Sequence, residues 1–402
     1  MLAEPAPGMR PGPTNSLVDV AGLRVGHAHR VGGGYRTGTT VVLAPPEGVM
    51  AGVDVRGAAP GTRETELLDP RNLVERVHAV VLSGGSAYGL SAACGVMDGL
   101  ADAGVGFPVA GGVVPIVPAA VIYDLGRGGD FRATPDAALG AAAYAAAYAA
   151  ARAPAHEPPF PAPPPRRGGS ADASSPETAA RHGGASHYGG EARYGGAGRY
   201  VTAAQHLTAP PTASGSIGAG AGAMAGGLAG GVGTASAVLP GGVTVAALAV
   251  VNAAGSVLDP AGATLAGVRY GLPGEFGHLR RPDPAEAGAW QPDKVTSFNT
   301  TIGVVATDLT LTKAQCGKLA GVAHDGLARA IRPAHTMVDG DTVFGLAACA
   351  RPAPGPDGLQ DVLAAAADVF SRAVAHAMLA ATGREGAPAY LDVFPSVLGG
   401  DR

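Results

Sequence analysis

An α+β fold is the class this sequence predicts, and three observations carry the prediction. Short apolar runs alternate with Ala-rich stretches of helical spacing, yet without the regular βαβ repeat of a doubly wound sheet. Hydrophobic residues make up 47% of the 402 residues and charged ones only 15%, too apolar a balance for a wholly disordered chain. The 64 glycines follow no Gly-X-Y period, which excludes collagen. With only 8 Phe, 10 Tyr and 1 Trp available, the core must be built from Ala, Val, Leu and close backbone contacts.

In chain order, residues 1–16 hold four prolines and predict a flexible or draping tail. SLVDVAGLRVGHA, apolar at Leu17, Val20 and Val25, suggests strand–turn–strand. Residues 39–45 and 52–57 are short strand candidates. ETELLDPRNLVERV has helix-like spacing through Leu67, Leu68, Leu73, Val74 and Val77, interrupted by Pro70. Ala79–Leu82 predicts a buried strand, followed by a Gly-Gly-Ser turn and a helix to about Ala103, with Gly104 as its stop. Residues 114–126 form an apolar, Pro-punctuated strand. Asp136 to about Arg152 is an Ala/Tyr-rich helix. Residues 153–213, rich in Pro and then in Gly, Ser, His and Tyr, lack an apolar period and predict a low-complexity surface insertion. Order returns over 215–239. Residues 243–260 contain a buried strand ending at Asn252, and a polar connection spans 261–298. Residues 299–311 predict a strand and 312–332 an amphipathic helix capped by Thr312. Residues 337–349 give an Asp-Gly turn and a strand, and Leu359–Thr382 a long helix.

Charge and cysteine narrow the partners. Net charge is −4, the lysines are Lys294, Lys313 and Lys318 alone, and no basic stripe with interleaved aromatics occurs, so no nucleic-acid partner is expected. No apolar run convincing as a membrane span or a signal peptide is visible. Cys94, Cys316 and Cys349 are odd in number and far apart, which suits a reducing cytoplasm and offers no zinc site.

Several chemical signatures are absent or weak. There is no HExxH. His27 and His29 could ligate a metal from one strand face, although an exposed loop pair is the simpler reading. Around Ser86 the sequence is GGSAYG, not the GxSxG of α/β-hydrolases. GAGAGAMAGG approaches GxGxxG at Gly220, Gly222 and Ala225, but no clear strand precedes it and no acidic residue follows about 20 positions on. Close backbone packing, or amides lining a pocket, is the simpler use of these glycines. A nucleotide- or metabolite-binding oxidoreductase built on that loop stands as the alternative function.

The sharpest segment is SFNTTIGVVATD. Together with NSLVDVAGLRVGHA, TGTTVVLAP, VDVRGAAPGTRET, LSGGSAYGL, AAVIYDL, GGVGTAS, VVNAAG and DGDTVF, it resembles the DmpA-type L-aminopeptidase/D-esterase family, to which the nylon-oligomer hydrolase NylC and the β-peptidyl aminopeptidases belong. The resemblance covers nearly all of 15–150 and 215–350 and leaves the 153–213 insertion outside.

The resemblance implies a four-layer αββα sandwich and a self-cleaving N-terminal-nucleophile hydrolase. The cut would fall between Asn299 and Thr300, giving segments 1–299 and 300–402 that remain one domain; Ser297 and Thr301 are the neighbouring hydroxyls. A threonine hydroxyl needs an adjacent base, and cleavage would expose the α-amine of Thr300 itself, with an ordinary pKa of about 7.7–8.0, able to take the hydroxyl proton directly or through a water. By the same resemblance Asp339 and Asp341 orient the hydroxyl and hold the ammonium, Asn252 stabilises an oxyanion, and Tyr88 positions the substrate carbonyl. Each has a plainer alternative: a self-capped Asp-Gly turn, a strand-ending turn residue, and a buried core tyrosine. Ser86, Gly222 and Met224 are the expected pocket positions. No metal or cofactor is implied. The expected substrate is a small peptide or amide, the assembly a homo-oligomer, by resemblance a tetramer of αβ units. One departure stands out: the nylon-hydrolase branch carries a catalytic lysine in the segment matching GAGAMAGGLAGG, where this chain has none. An unprocessed, non-catalytic relative is the remaining alternative.

Overall fold

The computed structural model describes residues 8–150, 205–292 and 298–398. Ser297 and most of the 153–213 segment lie outside the described residues.

Two six-stranded sheets dominate. The chain enters as the hairpin β1 (Arg24–Gly32) and β2 (Tyr35–Leu43), crosses as β3 (Val49–Val55), and continues through the short β4 (Thr62–Arg63), β5 (Arg76–Val77) and β6 (Ala79–Ser83). A small ribbon, β7 (Phe107–Val109) with β8 (Gly112–Val114), precedes β9 (Ala119–Val121) and, further on, β10 (Gln205–Ala209). A second ribbon, β11 (Met224–Ala225) with β12 (Leu228–Ala229), leads to the long strands β13 (Gly231–Val238), β14 (Thr244–Val251), β15 (Ile302–Leu309) and β16 (Thr342–Arg351). The first sheet runs β10-β1-β2-β6-β9-β4 and the second β13-β14-β15-β16-β3-β5.

Period-two alternation assigns the faces. In the first sheet Val41, Leu43, Ala79 and Val81 pack with α1 (Ala92–Asp102) and α2 (Ala137–Ala149), while their neighbours Val42, Val80 and Leu82 turn inward. In the second, Ala246, Leu248 and Val250 join that inter-sheet core. Val245, Ala247, Ala249 and Val251 face the helices beyond. After the short α3 (Pro284–Ala289), these are α4 (Lys313–Ala330) and α5 (Pro356–Leu379). The layers are therefore helix, sheet, sheet, helix, an α+β sandwich buried on both faces of both sheets. Gly26 and Gly233 show how glycine serves this packing: a Cβ at Gly26 would lie 2.1 Å from the Ala143 carbonyl of α2, and one at Gly233 2.0 Å from the Ala373 carbonyl of α5. The helices lie directly on the strand backbone.

The well-capped elements match expectation. Asp136 caps α2 through the Leu139 N–H, and Thr312 caps α4 through the Gln315 N–H. α5 begins earlier than expected because Pro356 stands in its first turn, where a missing N–H costs nothing. It has the length and hydropathy of a membrane span, yet 78% of its most apolar window is buried in the sandwich.

Several expectations fail for physical reasons. No α-helix forms over 64–77: a short 3-10 turn, Thr65–Leu68, gives way to a loop in which Leu73 is 81% exposed. Pro70 interrupts the ladder, and the Lys313 ammonium takes the carbonyls of Leu67, Asn72 and Val74 at 3.0, 3.1 and 2.8 Å. Residues 17–19 form a 3-10 turn, not a strand. The 114–126 strand contracts to β9. The tail is docked from Arg10, which exchanges backbone bonds with Val238 at 3.2 and 2.8 Å. Finally, the 153–213 insertion is too wide: β10 belongs to the first sheet, pairing His27–Val31 of β1 with Ala209–Gln205.

Candidate active site

The Asn299-Thr300 peptide enters β15, one of the second sheet's two central strands. Asn299 pairs with Asp339 in a parallel bridge, its N–H donating to the Val338 carbonyl at 2.9 Å. The Thr300 N–H donates to the Asn252 carbonyl at 2.6 Å. Asn299, Thr300, Asn252, Asp339 and Asp341 are all buried. The Thr300 hydroxyl lies against the carbonyl of Asn299. The Gly340 N–H approaches both groups, 3.1 Å from Thr300 Oγ1 and 3.2 Å from the Asn299 oxygen. A Cβ at Gly340 would stand 2.8 Å from Thr300 Oγ1 and 2.5 Å from the Ala59 carbonyl, so the glycine of DGD is what admits the hydroxyl.

The two carboxylates flank this peptide but point different ways. Asp341 Oδ1 accepts the Thr301 N–H at 2.7 Å, and its Oδ2 accepts the His335 N–H at 3.0 Å and contacts His335 Nδ1 at 2.8 Å. Asp339 accepts from Ala254 N–H, Thr336 N–H and the Thr336 hydroxyl. Asp339 is thus in part the cap of its own turn, whereas Asp341 holds the backbone one residue beyond Thr300.

Behind Thr300 stands a half-buried guanidinium, that of Arg127, which sequence reasoning missed. Arg127 Nη1 donates to the Gly222 carbonyl at 2.8 Å and to Asn252 Oδ1, and its Nη2 reaches Asn299 Oδ1 at 3.5 Å. Arg384 Nη2 donates to the carbonyls of Gly222 and Ala223 at 3.0 and 2.8 Å. Burial lowers both arginines from their ordinary value, Arg384 to about 10. Next to them burial pushes Asp124 up to about 6, opposed by the Gly85 N–H and the two guanidiniums. The expected lysine position is thus a loop whose carbonyls bind two arginines. The signal was faint: Arg127 follows YDL within a glycine-rich run, and Arg384 lies near the C-terminal end.

A cleft of about 310 Å³ opens onto Thr300, lined by Pro60, Ser86, Val121, Tyr123, Phe298 and Asn299 among others. Ser86 stands in this lining, in the left-handed region at φ 51°. Gly222 and Met224 are not in the lining: they stand behind Asn252, whose Oδ1 accepts the Met224 N–H at 3.1 Å. Tyr88 is also outside it, 49% exposed with the Arg132 guanidinium 5.2 Å from its ring centre, so neither the buried-core reading nor a contact with Thr300 is found. Tyr123 is the tyrosine of the cleft.

Two other expectations change. His27 and His29 are buried on β1, not exposed in a loop; burial lowers both, His27 to about 4. Among the described residues no group of three or more His, Cys, Asp or Glu side chains is placed to hold a metal. The GAGAGAMAGG loop opens no helix: it makes one 3-10 turn, Gly218–Gly220, and runs into β11, so no helix N-terminus awaits a pyrophosphate.

The model of peptidase family S58 matches residues 15–155 and 193–389. The chain belongs to peptidase family S58. An uncharacterised aminopeptidase of Mycobacterium leprae is 43% identical over 96% of each chain. A 6-aminohexanoate-oligomer endohydrolase of Paenarthrobacter ureafaciens is 29% identical over 81% of this chain and 73% of its own. Among solved structures, an L-aminopeptidase D-Ala-esterase/amidase of Ochrobactrum anthropi, described as a variant of the Ntn hydrolase fold, superposes with a TM-score of 0.61 at 21% identity, covering 96% of this chain and 93% of that one. This S58 peptidase is accordingly an aminopeptidase-type hydrolase of peptide or amide bonds on an α+β sandwich of the same fold as that structure.

Proposed function

We propose that this S58 peptidase is a self-processing N-terminal-threonine amide hydrolase that acts on small peptides or amides through an acyl ester on Thr300. The observation that carries this reading is the contact of the Thr300 hydroxyl with the Asn299 carbonyl under the Gly340 N–H. Nucleophile, scissile carbonyl and a donor for the developing oxyanion are within reach of one another. In processing, Thr300 Oγ1 adds to the Asn299 carbonyl carbon, the bond to Thr300 N breaks, and the hydroxyl proton ends on that nitrogen. Water then hydrolyses the ester, leaving a free amine on Thr300 and a carboxylate on Asn299. In turnover the new amine takes the hydroxyl proton as Oγ1 attacks the substrate carbonyl, and returns a proton to the leaving amine. Water then releases the acyl group.

The cleft lies at the small end of ligand sites, which run from about 300 to 1,000 Å³, and its apolar lining suits a short acyl group. The 6-aminohexanoate-oligomer endohydrolase name of the Paenarthrobacter relative and the aminopeptidase name of the mycobacterial one agree with that class. The same reading makes the protein a cytoplasmic homo-oligomer, its three cysteines all free as a reducing compartment requires.

Denaturing electrophoresis with intact mass on the active protein tests the mechanism. The 39.3 kDa chain should resolve into fragments of roughly 29 and 10 kDa, the smaller beginning at Thr300, as self-activation demands. Active protein that stays one full-length species would overturn the mechanism and leave an unprocessed relative.

A further inference from the structure

The Asn252 side chain is held in a way that its place at a strand end does not require. Its amide has one oxygen and one NH₂ group, and these differ in what they can do for a carbonyl under attack: only the NH₂ edge can donate. Two donors converge on the oxygen, Arg127 Nη1 and the Met224 N–H. Rotating the amide by half a turn would set its NH₂ against a guanidinium and a backbone N–H, three donors and no acceptor, in a fully buried place. The NH₂ edge is therefore committed to the other side, where Nδ2 reaches the Tyr123 carbonyl at 3.3 Å and keeps a second hydrogen. The backbone carbonyl of Asn252 is the one that binds the Thr300 N–H. Arg127 is itself set by the Gly222 carbonyl, and its second nitrogen faces Asn299 Oδ1. One guanidinium thus touches the two asparagines on either side of the Thr300 peptide nitrogen.

We propose that Arg127 is a positioning residue that fixes the orientation of the Asn252 amide, presenting its N–H edge toward the carbonyl under attack before the nucleophile arrives. The proposal rests on acyl transfer at Thr300 as set out above. Preorganisation of this kind matters because a donor that must first rotate contributes less to the transition state than one already aimed. Arg127 acts here through Asn252 and has no separate step of its own.

The test is a double-mutant cycle read in kcat and KM on the amino-acid p-nitroanilide that the wild-type enzyme turns over fastest. Loss of an oxyanion donor costs about 10²–10³-fold in kcat, so Asn252→Ala should fall in that range. Arg127→Met should lose about 10- to 100-fold with KM within about threefold, since orientation is a part of the donor's worth. Arg127→Lys, which keeps one donor and the charge, should recover part of the loss. The double variant Arg127→Met/Asn252→Ala should be no slower than Asn252→Ala within about twofold, the signature of residues acting as a unit. A double variant whose loss is the product of the two single losses would overturn the proposal, as would Arg127→Met at wild-type kcat. Should Arg127→Met not fold, the same cycle with Arg127→Lys decides the question. Wild-type enzyme that hydrolyses the anilide as an uncut chain would overturn the self-processing reading alone, because the coupling is still read in kcat.

Discussion

Two buried polar clusters in this molecule are built on opposite rules. In the first, Glu275 accepts from Asn15 Nδ2 at 2.7 Å, from Arg372 Nε and Nη2 at 2.6 and 2.8 Å and from the Leu272 N–H at 2.9 Å, and contacts His376 Nε2 at 2.8 Å. Arg372 Nη1 donates to the Ser236 carbonyl and its Nη2 also to Asn15 Oδ1. In the second, around Thr300, the buried atoms Thr301 Oγ1, His335 Nε2 and Arg384 Nη1 have no protein partner, and one N–H, that of Gly340, serves two oxygens. A saturated network rigidifies, and here it rivets the entering chain to α5 and the 266–280 loop. An unsaturated one keeps donors and acceptors available for atoms that change charge during a reaction.

Substitution at the unsaturated cluster should show the largest effect, and it should be chemical. Thr300→Ala should leave one uncut chain and lower kcat by about 10⁴-fold or more, with the urea midpoint nearly unchanged. Continued cutting at the same bond would point to an external protease and remove the contrast.

The saturated cluster should answer in stability alone. Glu275→Ala leaves a buried guanidinium unpaired and should cost about 3–5 kcal/mol, read as a lower urea midpoint, while kcat of the folded fraction is retained. A midpoint equal to wild type would mean that the network rivets nothing.

Acid should separate the two clusters by sign. Burial alone would raise Glu275, but the bonds from His376 and Arg372 hold it well below the usual carboxylate range. Its contribution is therefore present above the unfolded value near 4.5 and lost as pH falls. Asp124 runs the other way: with its folded value raised to about 6, its contribution is present below the unfolded 3.8 and lost as pH rises through 6. Glu275→Gln should flatten the acid limb of a stability–pH curve, and Asp124→Asn should raise stability above pH 6 by about 1–3 kcal/mol. Variant curves parallel to wild type would refute both assignments. The smallest effect belongs to a control in neither cluster: Thr312→Ala, which removes the α4 cap, should cost about 1 kcal/mol and leave kcat unchanged.

What the sequence made legible followed from local pattern. α2, α4 and α5 announce themselves through caps and uninterrupted apolar spacing, and β14 and β15 through continuous apolar runs that only a doubly covered strand tolerates. The loop at 64–77 and strand β10 were illegible for a shared reason. Each is decided by a partner distant in the chain, Lys313 for the loop and β1 for the strand, and the local composition argued otherwise. At the candidate site, Thr300, Asn252 and Asp341 came from motifs and do converge. Tyr88, Gly222 and Met224 lie outside the lining of the cleft at Thr300, because a short motif does not show which way a turn presents its side chains. Arg127 and Arg384 carried no motif; they become visible only once folding brings the Gly222 carbonyl to both.

The order of strands in the second sheet has one more consequence. β15 and β16 sit in its middle, with β14 on one side and β3 on the other, so the two strands that follow Asn299 are threaded between strands that come from before it. β15 is paired with β14 from Val250 to Val245 and with β16 from Thr342 onward. A chain end created at Thr300 would therefore be unlike ordinary termini, which fray. It would open into a fully buried strand paired on both sides, and neither piece could leave without dismantling the sheet. Severing the backbone there changes the covalent connectivity and leaves the topology whole.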